Sequence, residues 1–116
     1  MFHQRSMFED TKIRERVTVS TFTERISKIK SEDIEDTKHT FFRLSEKQRA
    51  IYTLDELRRI IIQEKPFLVG IQYNECYAVF YRYKGKVLKI IVVFNTSTKL
   101  NIVTFYFIKE EQIPKI

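Results

Sequence analysis

The apolar positions of this chain change period once, near Pro66. Before it, large side chains recur every three or four residues; after it they alternate. Phe22, Ile26 and Ile29 define a first amphipathic helix over about 22–30, opened by Thr21 and Glu24 as a capping box. Ser31 ahead of Glu32, Asp33, Glu35 and Asp36 reads as the start of a second helix, because acids in a first turn meet the positive end of the helix dipole. Ile34, Phe41, Phe42 and Leu44 continue its stripe, and Ser45 with Gln48 offers a further cap there, so that helix either ends after Leu44 or runs on to Arg49. Thr53 and Glu56 cap a third helix with Leu54, Leu57, Ile60 and Ile61 on its apolar face, and Pro66 stops it.

From Phe67 on, four stretches rich in β-branched and aromatic residues follow: 67–73, 76–83, 87–94 and 100–108. Asn74-Glu75, Lys84-Gly85 and residues 95–99 connect them closely enough for an antiparallel meander. Leu88, Ile90, Val92 and Phe94 form one apolar face of the third strand, and Val103, Phe105 and Phe107 one face of the fourth. The expected fold is α+β: two to three N-terminal helices on one face of a four-stranded antiparallel meander. It is a single domain over 1–116, helical over 21–65 and sheet over 67–108, with 1–20 a flexible arm or a short strand at Arg16 to Ser20.

Composition agrees with a folded domain: 43% hydrophobic residues, ten Phe and six Tyr supply a core, against 31% charge. The net charge of +6 favours a polyanionic partner, RNA or DNA ahead of an acidic protein. The excess lies in the sheet, where 7 basic residues face 3 acidic ones after Lys65, compared with 14 and 12 up to and including it. The single cysteine, Cys76, excludes an intrachain disulfide and reads as a small buried strand residue in a reducing compartment. The apolar run from Ile90 to Phe94 is too short to span a bilayer, and charge soon after Met1 is unlike a secretory leader, so a cytoplasmic protein with no membrane partner is expected. Two Gly and two Pro among many Lys, Glu and Ile fit a thermophilic source.

His3, His39 and Cys76 lack ligand spacing, and no glycine-rich loop is present to hold a nucleotide, so neither a metal nor a cofactor is expected. One cluster can serve chemistry. His39 and Arg43 stand four apart, on one face of a helix, with Arg49 beyond. Metal-independent RNA cleavage asks for little more: the ribose 2'-hydroxyl attacks its own phosphorus, and the protein moves protons and stabilises the phosphorane. His39 suits the general base or acid. Arg43 and Arg49 suit the phosphate. Tyr106 or Thr104 offers a hydroxyl from the last strand. The opposite face of the sheet then holds Lys89, Thr104 and Tyr106, joined by Tyr77, Tyr81 and Tyr83 if the second strand turns that way; cations among aromatics suit unpaired bases beside phosphates. Arg58 and Arg59 add a phosphate contact or form a solvated helix face. Structural alternatives stand beside each: a helix-surface His39, and tyrosines on a half-wetted sheet.

The His-x3-Arg helix followed by a meander ending in Ile102-Val-Thr-Phe-Tyr106 resembles the barnase, EndoU, colicin and RelE superfamily, in its small RelE-like toxin families, over roughly 36–108. The resemblance implies an endoribonuclease, often the toxin of a toxin-antitoxin pair, with His39, Arg43, Arg49, Thr104 and Tyr106 at the site and an acidic antitoxin as partner. The first 30 residues exceed the toxin pattern and suit either a recognition element or a dimerisation element, the latter implying a homodimer. Two other classes remain open: a non-catalytic nucleic-acid-binding module using Lys89 and the tyrosines with Arg58, and an adaptor that pairs through a sheet edge.

Overall fold

Strand pairing dominates the computed structural model, which describes residues 12–36 and 53–115. Six strands form one sheet in the order β1-β3-β4-β5-β6-β2: β1 Ile13–Val17, β2 Ile34–Asp36, β3 Leu68–Gln72, β4 Tyr77–Tyr83, β5 Lys86–Thr96 and β6 Lys99–Ile108. Two helices are described, α1 Val19–Ile26 and α2 Leu54–Gln63, with short 3-10 turns at Ser31–Asp33 and Glu110–Gln112. The expected four-stranded antiparallel meander under two to three N-terminal helices is therefore corrected to a six-stranded mixed sheet. Strand β1 adds antiparallel to β3, and β2 adds parallel to β6.

The correction has a local cause at each edge. Ser31 opens only one 3-10 turn, because Ile34 is drawn beside Leu100 and is fully buried in the core. Burial of a β-branched side chain in a ladder outweighs the modest helical preference of acids at a first turn. The remainder of the expected second helix, with Ser45 and Gln48, lies outside the described residues. At the other edge, the short strand expected at Arg16 to Ser20 lies earlier, at Ile13–Val17, with Val19 and Ser20 already in α1; Ile13 and Val17 are half-buried against β3 while the residues between them are exposed.

Both helices begin at hydroxyl caps. Thr53 accepts the amide of Glu56 (3.2 Å), as its spacing predicts. Helix α1 starts earlier than the sequence suggests, capped by Thr18, which accepts the amide of Thr21 (3.2 Å). Phe22, Ile26, Leu57, Ile60 and Ile61 then bury against one side of the sheet, made by Val79, Tyr81, Leu88, Ile90, Val92, Leu100, Ile102 and Phe105. Lys84 and Gly85, with φ of 52° and 76°, form a two-residue turn whose left-handed geometry matches the twist of the β4–β5 hairpin. None of the described helices is long and apolar enough to cross a membrane.

Polar clamps fasten the helices to the sheet. Arg25 of α1 donates to the Tyr77 hydroxyl (2.8 Å) and lies 3.8 Å from the centre of the Phe94 ring. On α2, the Glu56 carboxylate accepts from the Tyr83 hydroxyl and from Arg59 (3.2 Å), and Arg59 also donates to the Tyr83 oxygen (2.6 Å). The Tyr83 hydrogen bond, reinforced by Arg59, holds the Glu56 carboxyl below its ordinary 4.5.

A methyl group added at Gly70 of β3 would meet Cγ2 of Ile13 at 2.6 Å. Gly70→Ala should therefore cost about 1–3 kcal/mol in urea unfolding, with amide exchange accelerated first in β1; adding Ile13→Ala should recover part of the loss, and an unchanged Gly70→Ala variant would contradict the packing. Because the folded-state pKa of Glu56 is depressed, its contribution is present above about 4.5 and is lost as pH falls through the folded value. Carboxyl-carbon NMR titration should show Tyr83→Phe raising the Glu56 pKa, with a shallower loss of thermal stability on the acid limb.

Candidate functional site

The sheet's second side is set by what the helices leave. Pairing places Phe80, Lys89 and Tyr106 in one cross-strand row, flanked by the rows Ala78, Ile91, Thr104 and Arg82, Val87, Ile108. Leu68, Ala78, Phe80, Val87 and Ile91 make a smaller apolar cluster there, with Phe67, Val103, Ile108 and Ile113 packed against it. Toward β6 the face opens: Lys89, Thr104 and Tyr106 are half-exposed.

A one-residue bulge produces this arrangement. Ile91 pairs with Thr104, but Val92 pairs with Ile102, which leaves Val103 without a partner in β5. Leu100 and Ile102 face the helices before the bulge, and Phe105 faces them after it. Strict alternation from Leu100 would have turned Thr104 and Tyr106 into the core. The extra residue turns them out, and Val103, expected beside Phe105 and Phe107, packs on the second side instead.

Lys89 is the cation at the middle of this face. Its ammonium lies 5.6 Å from the centre of the Phe80 ring and 5.4 Å from that of Tyr106, between two electron-rich faces. Among the described residues no carboxylate lies within ion-pair distance of it. Arg82, one row away, differs: it pairs with Glu110 and lies 4.6 Å from the centre of the Phe67 ring, so its charge is engaged by the C-terminal turn. That pair holds the Glu110 carboxyl below its ordinary range. Around this row, among the described residues, the face thus offers the Lys89 ammonium without a carboxylate at ion-pair distance, the half-exposed ring of Tyr106 and the hydroxyls of Thr104 and Tyr106. It can hold a phosphate oxygen at Lys89, stack a base on Tyr106 and hydrogen-bond through Thr104.

The other sequence-derived candidates are distributed elsewhere. Tyr77 belongs to the Arg25 clamp, with Phe22 and Phe94 rings 6.1 Å and 5.2 Å from its own. Tyr81 is 1% exposed beneath the helices, where desolvation pushes its phenol well above the usual range. Arg58 donates from Nε to the Ile34 carbonyl (2.7 Å) and from Nη1 to Asp55 (3.2 Å), tying α2 to β2. His39, Arg43 and Arg49 lie outside the described residues. Among the described residues no group of three or more His, Cys, Asp or Glu is placed to hold a metal ion. Cys76 is half-buried and its thiol is pushed up by desolvation, an environment that suppresses the thiolate.

Phe80 is the one member of the row that is absent from the sequence-derived candidates. Its signal is Arg82: a guanidinium two residues on is poorly suited to an apolar core, so even-numbered positions of β4 turn away from the helices and odd-numbered tyrosines turn toward them.

No curated protein and no solved structure matches the chain. The model of one family, the MJ0788 family, matches residues 20–93, from α1 into β5. That stretch holds all of α1 and α2 but Val19, the Arg25–Tyr77 and Glu56–Arg59–Tyr83 hydrogen bonds and Lys89, though not Thr104 or Tyr106. With well over half of its 116 residues matched, the chain belongs to the MJ0788 family.

Proposed function

We propose that this protein binds single-stranded RNA across the open side of its sheet, in a reducing cytoplasmic compartment. The observation that carries the reading is the Phe80–Lys89–Tyr106 row, a cation between two aromatic rings with no carboxylate at ion-pair distance among the described residues. Base stacking on Tyr106 and a phosphate at Lys89 need an unpaired strand, because a duplex hides its base faces. The net charge of +6 supplies long-range attraction for the backbone.

A second reading, a metal-independent endoribonuclease of RelE-like type, is favoured by one further feature: the pairing turns Thr104 and Tyr106 to the same side as Lys89. Their hydroxyls beside an ammonium suit a phosphorane. His39 would then take the proton of the 2'-hydroxyl, with Arg43 and Arg49 on the phosphate, and the 5'-oxygen would leave to give a 2',3'-cyclic phosphate. In that case an acidic antitoxin is the natural protein partner.

Fluorescence anisotropy with a labelled single-stranded RNA tests the first reading. Tyr106→Ala should weaken binding by about 1–3 kcal/mol. Lys89→Ala should weaken it and reduce the slope of log affinity against log salt by about 0.7, the value for one phosphate contact on a single strand. Unchanged affinity and slope in both variants would sink the proposal. Incubation of the same RNA in EDTA separates the readings: cyclic-phosphate products that disappear in His39→Ala support cleavage, whereas intact, tightly bound RNA leaves binding alone.

A further inference from the structure

A cleft of about 230 Å3 opens beside the β5–β6 hairpin, lined by Asp33, Glu35, Asn95, Lys99 and Asn101. Its walls come from four elements: the 3-10 turn Ser31–Asp33, β2, β5 and β6. Glu35, Asn101 and Val93 are Cα partners across β2, β6 and β5, so the cleft lies on the open side of the sheet, while neighbouring Ile34 and Leu100 turn into the core.

Every described lining residue is polar, and three are charged, yet none of these five side chains makes a hydrogen bond or ion pair with another residue of the chain among those described. Two carboxylates and an ammonium thus share one concavity without closing on each other, unlike the clamps at Arg58, Arg59 and Arg82, where opposite charges have met. The occupant that satisfies such a lining is constrained by charge. A phosphate or other anion would be repelled by Asp33 and Glu35. A divalent cation would gain two carboxylates but face the Lys99 ammonium, and hard cations want more oxygen ligands than two carboxylates supply. A ligand carrying both signs meets neither objection.

We propose that this cleft binds a small zwitterion of the amino-acid class. Its ammonium would lie between Asp33 and Glu35, its carboxylate on Lys99, and the carboxamides of Asn95 and Asn101 would take the remaining donors and acceptors. A cleft of about 230 Å3 has room for a ligand of this size. This site is independent of the RNA reading, since it uses neither Lys89 nor Tyr106.

The test uses the full chain, titrated by calorimetry and by NMR of the Asn95 and Asn101 side-chain amides with glycine, β-alanine and γ-aminobutyrate. Butylamine, butyrate, inorganic phosphate and calcium serve as singly signed controls. At least one amino acid should bind and shift both amides, with the four controls silent at the same concentration. Glu35→Gln and Lys99→Met should each weaken binding about tenfold or more, the loss expected for a hydrogen bond to a charged group; both side chains are exposed, so the fold should survive either change. Binding of a control as tight as that of every amino acid, or no amino acid binding to the folded wild-type chain, would overturn the proposal.

Discussion

Everything else in this protein is arranged around the β5–β6 ladder. It joins the two longest of the described strands, and each contributes side chains to both layers around the sheet. Since side chains alternate across a strand, a single unpaired residue reverses every position beyond it. The bulge at Val103 is that residue. It lets Leu100 and Ile102 at one end and Phe105 toward the other all bury beneath the helices, while Thr104 and Tyr106 emerge on the far side beside Lys89. Core and candidate site are therefore set by one backbone irregularity.

Around that ladder the helices are held by two kinds of force. Apolar burial gives the bulk of the attachment, through Phe22, Ile26, Leu57, Ile60 and Ile61. The arginines then define orientation. Arg25 on Tyr77, Arg59 on Tyr83 and Arg58 on the Ile34 carbonyl each bind a helix to a named point of the sheet. Hydrogen bonds of this kind add little net free energy apiece but leave a costly unsatisfied partner if the register slips, so they specify geometry more than they raise stability. Tyr77 and Tyr83 are consequently structural. The two sides of the sheet use their aromatic residues differently: tyrosine hydroxyls anchor the helices on one side, and Phe80 and Tyr106 bracket an ammonium on the other.

The candidate site is only partly legible in the sequence. Lys89, Thr104 and Tyr106 group on one side of the sheet, because a lysine in the middle of an apolar alternation must turn away from the core. Tyr77 and Tyr81 cannot be placed from their own pattern, since in Tyr77 to Tyr83 large apolar residues occupy both parities; the parity of Arg82 is the available clue. Arg58 reads as a solvated helix residue, and nothing local reveals that the carbonyl of Ile34 waits opposite its guanidinium. His39, Arg43 and Arg49 belong to a stretch outside the described residues.

Short-range physics accounts for what can be read directly from the chain. The hydroxyl cap at Thr53, the stop at Pro66, the Lys84-Gly85 turn and the four β-rich stretches after Pro66 all follow from neighbours a few residues apart. The edges of the sheet and the phase of its last strand came instead from long-range packing. Ile34 joins β6 through a partner sixty-six positions away, and a capping signal at Ser31 yields to that burial. The bulge likewise has no local signature, because Ile102, Val103 and Phe105 are all good strand residues; which of them faces the helices is settled by what lies across the ladder.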